Sequence, residues 1–213
     1  MNLRGQRGFT LLEVTVVLAV IGGLVAMLSP VVFRYIDDAN RTRAQADVGS
    51  FASAINKLYK DTGRWPIKAT GTSNAAFDSL ADPSILTSGG DCDPGDTDLA
   101  SCDASEPTTG TGWDYSKRGD WLGRHLVTNA ASYSTTGNRA WKGPYINEIP
   151  SVDPWGRSYL VNVANADPTV AEASQKWVIA LSAGPDGVVN TSASTALNSN
   201  AVASGDDIIA RVR

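Results

Sequence analysis

Residues 8–28 read G-F-T-L-L-E-V-T-V-V-L-A-V-I-G-G-L-V-A-M-L, and this stretch decides the fold. The twenty residues that follow Gly8 hold a single charged residue, Glu13, and two threonines. At a rise of about 1.5 Å per residue, a helix of this length measures about 30 Å, which matches the hydrocarbon core of a bilayer. The stretch therefore predicts a helix that crosses a membrane.

The charges ahead of the apolar run indicate its orientation. Arg4 and Arg7 precede it, so the positive-inside tendency predicts a cytoplasmic N-terminus, with the bulk of the chain outside the cytoplasm. Two interpretations compete with a simple anchor: a secretory signal peptide, and removal of a short leader ahead of a retained helix. A signal peptide usually has a shorter apolar region, of about 7–15 residues, and a small-residue A-x-A exit, which this chain does not clearly show.

Glu13 separates these interpretations. A carboxylate near the start of a membrane helix is unfavourable unless it is paired, and the next basic residue is Arg34, about six turns away. Cleavage after Gly8 would create a free amine on Phe9, about one helical turn from Glu13. The carboxylate and the ammonium of neighbouring copies could then pair. The alternative is that Glu13 extends to the membrane interface.

The sequence G-F-T-L-L-E-V at residues 8–14 resembles the processing site of type IV pilins and of the pseudopilins of type II secretion. The resemblance implies that residues 1–8 are a prepilin leader peptide. It also implies that a prepilin peptidase cleaves after Gly8 and methylates the new N-terminus on Phe9. Phe9 and Glu13 are then the residues of assembly.

The composition excludes several classes of function. The 213 residues carry 18 Lys and Arg against 22 Asp and Glu, so a strongly basic nucleic-acid-coating protein is excluded and no nucleic-acid partner is expected. Loss of residues 1–8 would remove two arginines and no acid, which leaves 16 basic and 22 acidic residues and a net charge of −6. One histidine and two cysteines are too few for a Cys/His zinc site. We expect His125 to be a surface or partly packed residue, because no G-x-S-x-G elbow accompanies it.

The helical pattern continues beyond Pro30. The pilin-like family often carries a helix-softening proline at this place, so we expect a kink there. Apolar or small residues then recur on one helical face, which we expect to pack on a globular head: Ala44, Val48, Phe51, Ala52, Ile55, Leu58 and Tyr59. The pattern predicts a transmembrane and assembly half at residues 9–29 and an amphipathic half at residues 30–63.

Stop signals follow the amphipathic stripe. Gly63 is a typical C-terminal stop, and Pro66 bars continuation of the helix. We therefore predict one helix over about residues 10–62. The G-R-W-P element at residues 63–66 resembles the major pseudopilin, and we expect Trp65 to close the helix end.

Residues 64–142 are rich in Thr, Ser, Gly, Asp and Asn, which predicts a variable loop region with a few short elements. Short helices are expected at residues 74–80 and 120–127. Cys92 and Cys102 lie in a segment placed outside the cytoplasm, so we expect a disulfide between them. The aspartates around them do not follow EF-hand spacing and predict a solvated acidic loop.

Residues 143–213 show clearer strand signals. Apolar runs predict strands at 159–163, 176–181 and 207–213, and three short strands with intervening loops suit a small antiparallel sheet. We expect this sheet to pack one face on the amphipathic helix. The predicted fold class is α+β, with a long N-terminal helix packed on a small β-sheet head, as in the pilin fold.

The motifs P-Y…D-P-W-G-R-x-Y, S-x-G-x-D-G and D-D-I resemble the head of the major, G-type pseudopilin of type II secretion. In that family the last loop binds calcium, a hard cation that prefers carboxylate and carbonyl oxygens. The ligands that the resemblance implies are Asp186, Asp206, Asp207 and, as a weaker match, the carbonyl of Leu181 or Ser182. The stretch 188–205 is longer than the family's usual loop, and no ligand within it is assigned.

These features predict a structural subunit rather than an enzyme. The helix can lie in lipid as a monomer and then pack against copies of itself in a non-closing homopolymer. The small residues Ala19, Gly22 and Gly23 permit close approach of helices. Together with these features, the resemblance implies the function of a pseudopilus subunit that promotes protein export across the outer membrane.

The resemblance also implies a location and partners. It implies a single-pass inner-membrane protein with a cytoplasmic N-terminus and a periplasmic head, which assembles into a periplasmic filament. The implied partners are minor pseudopilins, the prepilin peptidase and an inner-membrane assembly platform. One alternative is a surface type IV pilin for adhesion or motility, against which D-P-W-G and D-D-I favour the pseudopilin. The other is a membrane-anchored periplasmic enzyme or binding protein, which would keep residues 1–8 and tolerate Glu13→Ala.

Overall fold

The computed structural model describes residues 9–66, 85–88, 113, 118–163, 177–192 and 202–212. The elements in chain order are α1 (Leu11–Thr62), β1 (Ile85–Thr87), β2 (Arg118–Trp121), α2 (Leu122–Leu126), β3 (Leu160–Asn162), β4 (Ile179–Ser182) and β5 (Ile208–Arg211). The chain divides into two units, one that ends at Asn40 and one that begins at Arg41. α1 contributes residues to both.

The described part of the first unit is the apolar half of α1. Its large apolar side chains are exposed from Phe9 to Ile36, past the boundary predicted at residue 29. The helix is continuous through Pro30. The hydroxyls of Thr15 and Ser29 donate to backbone carbonyls of the preceding turn, at 2.8 and 2.9 Å, so they are satisfied within the helix.

The second half of α1 buries the stripe predicted from the sequence. Its buried residues are Ala44, Val48, Phe51, Ala52, Ala54, Ile55, Leu58 and Thr62. Tyr59 differs from the prediction, because it is 41% exposed and its ring stacks on Trp65 with 4.2 Å between centroids. Gly63 ends the helix with φ +67° and donates its N–H to the Tyr59 carbonyl at 2.7 Å, as in a left-handed C-terminal cap. The predicted helix and its stop are confirmed.

The five strands form one sheet in the order β2-β1-β3-β4-β5. The pairs β1–β3, β3–β4 and β4–β5 are antiparallel, and the pair β1–β2 is parallel. β3, β4 and β5 overlap the three predicted strands, which confirms the small antiparallel sheet and the α+β class. β1 and β2 were not predicted, since β2 reads R-G-D-W and gives no strand signal.

Both faces of the sheet are buried. Alternate residues of a strand point to opposite faces, and here they divide between two apolar clusters. The first cluster joins the α1 stripe to Leu86, Tyr159, Val161, Ala180 and Ile208. The second cluster contains Ile85, Trp113, Leu160, Ile179, Leu181, Ala183 and Val189. The sequence predicted the face against the helix, whereas the structure buries the second face as well.

Polar side chains join α1 to the sheet. Tyr159 is fully buried, its ring packs edge-on against Phe51 at 5.2 Å between centroids, and its hydroxyl donates to Asp47 Oδ2 at 2.6 Å. Burial, followed by the hydrogen bond to Asp47 and the charge of that residue, raises the pKa of Tyr159. Tyr159 therefore remains a neutral donor. On the exposed side of the same carboxylate, Arg43 Nε lies 3.9 Å from Asp47 Oδ2.

β5 lies at one edge of the sheet, and α1 supplies donors to the backbone there. Gln45 Nε2 donates to the Ile209 carbonyl at 3.3 Å, and Asn56 Nδ2 donates to the Val212 carbonyl at 2.9 Å. Because exposed strand edges can pair with other chains, proteins often cover them. The bond from Gln45 occupies one backbone acceptor of β5 at this edge, and the bond from Asn56 holds the residue that follows β5.

α2 follows β2 directly and confirms the short helix predicted at residues 120–127. His125 is 1% exposed, its Nδ1 lies 2.6 Å from the Tyr133 hydroxyl, and its carbonyl accepts the Trp141 indole N–H at 2.9 Å. The expectation of a surface or partly packed histidine is therefore corrected to a fully buried one. The helix predicted at residues 74–80 lies outside the described residues.

We expect Tyr159→Phe to lower the free energy of unfolding by about 1.5–3 kcal/mol, the usual value of a hydrogen bond to a charged group. The variant keeps the ring against Phe51 but removes the phenolic donor from the Asp47 carboxylate. Urea unfolding of the detergent-solubilised chain measures the change. Tyr59→Phe is the matched control, because Tyr59 is partly exposed and packs through its ring. Equal losses in both variants would contradict a specific role for the Tyr159 hydroxyl.

Candidate functional site

The N-terminal candidate site contains Phe9 and Glu13. The described residues begin at Phe9, so Gly8 and the leader predicted at residues 1–8 lie outside them. The Phe9 side chain is 85% exposed. The N–H of Glu13 donates to the carbonyl and the hydroxyl of Thr10, at 3.1 and 3.3 Å. Thr10 thus caps the start of α1, as a threonine at this position commonly does.

The sequence T-L-L-E at residues 10–13 also fits a capping box, a signal that sequence reasoning missed. In a complete capping box the glutamate reaches back to the backbone N–H of the threonine. The structure shows the other bond of the box, from the Glu13 N–H to the Thr10 hydroxyl. Among the described residues, the Glu13 carboxylate has no hydrogen bond or ion pair. The carboxylate can therefore accept an ammonium group from another molecule.

α1 provides the setting of this site. It is long and apolar enough to cross a membrane by length and composition, and no residue of its most apolar window is buried. Gly22 and Gly23 lie within that apolar stretch, and a Cβ atom added at either would meet nothing within 4 Å. The packing of this chain therefore does not require glycine at these two positions.

The second candidate site lies beside the end of β4 and the start of β5, which are neighbours in the sheet. Antiparallel pairing places Ser182 opposite Ile208. This pairing brings together the loop at residues 183–192, which we call the β4 loop, and residues 202–207, which we call the Asp207 loop. Asp186 lies on the β4 loop, and Asp206 and Asp207 lie on the Asp207 loop. The sheet register therefore explains why residues twenty positions apart form one site.

Hydrogen bonds hold the two loops against each other. Asp206 Oδ2 accepts the N–H of Asp186 at 3.1 Å, and Asp186 Oδ1 accepts the N–H of Val188 at 2.7 Å. Gly184 has φ +67°, and a Cβ atom on it would lie 2.5 Å from the Asp206 carbonyl oxygen. Glycine at position 184 is therefore needed for the close approach of the loops.

Asp207 is the buried acid of this site. Its Oδ2 accepts the N–H groups of Asn190 and Thr191 at 2.9 and 2.6 Å. Its Oδ1 is buried and has no hydrogen-bond partner in the part of the chain that the structure describes. Burial raises the pKa of Asp207, and the charge of Asp206 adds to this, while the hydrogen bonds from Thr191 and Asn190 lower it. A buried carboxylate oxygen without a partner is unfavourable, so a cation at this position would fit the donor chemistry.

The side chains of Ser182 and Leu181 take part in the fold beside this site. The Ser182 hydroxyl donates to Asp153 Oδ2 at 2.7 Å and accepts the N–H of Gly184 at 3.3 Å. Leu181 is buried in the second apolar cluster and pairs with Ile209. The role of either carbonyl as a cation ligand stays a prediction.

Asp153 is a site residue that sequence reasoning missed. It is 3% exposed, and its Oδ1 accepts the N–H groups of Trp155 and Arg157 at 3.0 and 2.8 Å. Its Oδ2 accepts the Ser182 hydroxyl. The D-P-W-G-R turn and the S-x-G-x-D-G turn are therefore one hydrogen-bonded unit. The available signal was the aspartate at the first place of a turn, which commonly binds backbone N–H groups two residues on.

The described residues contain no group of three or more His, Cys, Asp or Glu side chains placed to hold a metal ion. A cation at the two loops would therefore need backbone carbonyl or water oxygens beside the aspartates. The disulfide predicted for Cys92 and Cys102 lies outside the described residues.

Comparison with known proteins bears on both sites. Residues 3–29 match the family model of the prokaryotic N-terminal methylation motif. The chain is 26% identical over 186 residues to the type II secretion system core protein G of Escherichia coli K12, which covers 87% of this chain and 86% of that protein. No solved structure matches the chain.

Other relatives match over a shorter range. The chain is 39% identical over 72 residues to the toxin coregulated pilin of Vibrio cholerae, which covers 34% of this chain and 31% of that protein. It is 34% identical over 71 residues to the type II secretion system core protein G of Klebsiella michiganensis, which covers 33% of this chain and 50% of that protein. The chain thus spans half or less of the length of these two relatives. The resemblance to type IV pilin-like proteins predicted from the sequence is confirmed.

We expect Asp207→Asn to make the calcium-free protein more stable than the parent at neutral pH. Burial raises the folded-state pKa of Asp207 above its ordinary 3.8, so the folded protein favours the protonated carboxyl. The stability that this protonation contributes is fully present below pH 3.8, and it is lost as the pH rises through the raised pKa. Asparagine can still accept the two N–H bonds but carries no charge.

Thermal unfolding in EDTA, from about pH 4 to about pH 8, measures this difference over the range in which an aspartate of raised pKa titrates. The stability of the parent should fall with rising pH relative to that of the variant. Asp186→Asn is the control, since Asp186 is exposed and should bring no such gain. An equal gain in both variants would assign the effect to net charge rather than to burial of Asp207.

Proposed function

We propose that this chain is a structural subunit of a periplasmic pseudopilus of a type II secretion system. In this role it polymerises through its N-terminal helix and promotes protein export across the outer membrane. The observation that carries the proposal is the exposed apolar half of α1, with a Glu13 carboxylate that has no partner among the described residues and lies one turn from Phe9. The match to the Escherichia coli core protein G, which extends over most of both chains, supports it.

Processing comes first in this proposal. A prepilin peptidase cleaves after Gly8 and methylates the amine of Phe9. The match of residues 3–29 to the N-terminal methylation motif supports this step. The ammonium of one subunit then pairs with the Glu13 carboxylate of its neighbour. Since a charge in an apolar environment is costly unless it is paired, this pair fixes the register between subunits.

Assembly replaces lipid by protein around the apolar half of α1. Gly22 and Gly23 face no atom of their own chain within 4 Å of a Cβ position, so their small size suits the close approach of a neighbouring helix. The contact is heterologous, which makes the polymer open-ended. Before assembly the same surface lies in the inner membrane, with the N-terminus cytoplasmic and the head periplasmic. Minor pseudopilins and the inner-membrane assembly platform are the proposed further partners.

The β4 loop and the Asp207 loop hold a calcium ion in this proposal. Asp186, Asp206 and Asp207 supply carboxylate oxygens, and backbone carbonyl or water oxygens complete the set, because the three side chains alone are not placed to hold the ion. Calcium neutralises the charge that Asp207 carries in a buried place. The buried Oδ1 of Asp207, which has no hydrogen-bond partner among the described residues, supports the assignment. A disulfide between Cys92 and Cys102 is proposed for the periplasmic head, because that compartment oxidises thiols.

A surface type IV pilin for adhesion or motility is the second candidate. The similarity to the toxin coregulated pilin favours it, but that match covers about a third of either chain. The longer match to the core protein G favours the pseudopilus subunit. Deletion of the gene separates the two: loss of secretion supports the pseudopilus, and loss of surface pili supports the pilin. A membrane-anchored enzyme or binding protein would instead retain Met1.

We expect Glu13→Gln to reduce filament formation by at least about tenfold, because the substitution breaks a charge pair in an apolar environment. Membrane insertion should be unchanged. Chemical cross-linking and shearing of cells that carry the assembly machinery measure the polymer, and mass spectrometry of the extracted subunit reports the cut and the methyl group. Glu148→Gln is the control, since Glu148 is exposed outside α1. Filaments at parental levels in Glu13→Gln would contradict the proposal.

We expect calcium at about one hundred times its Kd to raise the free energy of unfolding of the solubilised chain by about 2.7 kcal/mol. Chelation should reverse the gain, and Asp206→Asn and Asp207→Asn should abolish it. Asp61→Asn serves as a control because Asp61 pairs with Lys142 instead. An unchanged parent protein in calcium would overturn the calcium assignment and leave the assembly proposal standing.

A further inference from the structure

We propose that Trp113 is a positioning residue for the Asp207 loop. Its indole binds Thr191, which in turn binds Asp207. Trp113 thus links its own position, within the region at residues 64–142, to the aspartates that we assign to calcium. This inference rests on the proposed calcium site. It concerns a part of the chain that the resemblance to pseudopilins does not cover.

Trp113 is anchored on the second face of the sheet. Its side chain is 4% exposed and packs in the second apolar cluster, together with Leu160 of β3 and Val189 of the β4 loop. Its indole N–H donates to the Thr191 carbonyl at 2.8 Å. A large ring and one directed hydrogen bond therefore link a residue from the variable region to the β4 loop.

Thr191 connects three segments of the chain. It is 1% exposed, its carbonyl accepts the Trp113 indole, and its N–H donates to Asp207 Oδ2 at 2.6 Å. Its hydroxyl accepts the N–H of Ser204 at 3.0 Å. Each polar group of Thr191 is used, and its bonds reach Trp113, Ser204 and Asp207. A displacement of Thr191 would therefore disturb the Asp207 carboxylate directly.

The orientation of Asp207 depends on this connection. Asn190 and Thr191 hold its Oδ2, and this leaves Oδ1 buried and, among the residues that the structure describes, without a partner. Without the Trp113 indole, the Thr191 carbonyl would lose a buried donor and the β4 loop would be free to shift. The same coupling must act in reverse, because linkage is reciprocal: a cation that orders Asp207 strengthens the docking of Trp113.

Calcium titration calorimetry of the detergent-solubilised full chain tests the inference. Trp113→Phe keeps an aromatic ring and removes the N–H donor, and we expect it to weaken calcium binding by about five- to tenfold, the effect of one buried hydrogen bond. Trp141→Phe is the matched control. It removes the same kind of bond, from an indole to the His125 carbonyl at 2.9 Å, in a different part of the molecule. Calcium affinity in the control should stay within about twofold of the parent, because sites without shared partners act independently.

The outcomes separate this inference from the calcium proposal. Equal affinities of parent and Trp113→Phe would overturn the role of Trp113 and leave the calcium site standing. If the parent binds no calcium, the calcium site falls, and amide hydrogen exchange without calcium decides the role of Trp113. Exchange at Asn190 and Thr191 should then be faster in Trp113→Phe than in Trp141→Phe. Equal exchange in the two variants would overturn the inference.

A third measurement needs no variant and covers the case that Trp113→Phe does not fold. Calcium added to the parent chain should slow amide exchange in the peptide that contains Trp113, as well as in the β4 loop. Protection confined to the β4 and Asp207 loops would overturn the coupling.

Discussion

The first half of α1 does not bury its own apolar side chains, so their burial depends on another apolar surface. Between Phe9 and Ile36 it exposes eighteen large apolar side chains. Full burial of one such side chain contributes about 1.5–3 kcal/mol, whereas a whole domain is stable by about 5–15 kcal/mol. The transfer of this surface from water thus outweighs the stability of a typical fold. In the proposed assembly, lipid covers this surface first and neighbouring helices cover it later. Glu13 is the one charge in this stretch before Arg34, and it would favour the second cover, where it can pair.

The second unit differs from the first, because its own residues bury its apolar side chains. Its sheet is packed on both faces, and its polar contacts join elements that are far apart in sequence. Tyr159 joins β3 to α1 through Asp47, Asp153 joins its turn to β4 through Ser182, and Thr191 joins the β4 loop to Asp207. The candidate cation site is therefore built from the same bonds that hold the fold together.

The helix and the three C-terminal strands could be predicted from the sequence because their signals are local. Helical spacing, Gly63 and Pro66 placed α1 within a residue of its observed bounds. β2 could not be predicted, since R-G-D-W becomes a strand only by pairing with β1. The buried second face had a signal that went unused: the run from Trp177 to Leu181 is apolar without alternation, which is typical of a strand covered on both sides. The burial of His125 and the bonds of Asp153 depend on contacts between distant segments, which spacing alone does not encode.

The amide that α1 places on β5 has a consequence for the polymer proposed above. A bare strand edge at high local concentration favours lateral sheet-to-sheet stacking and, with it, amyloid-like deposits. Gln45 occupies the Ile209 carbonyl at the edge of the sheet. This bond disfavours the addition of a foreign strand at that position, so contact between copies would be directed to the helix.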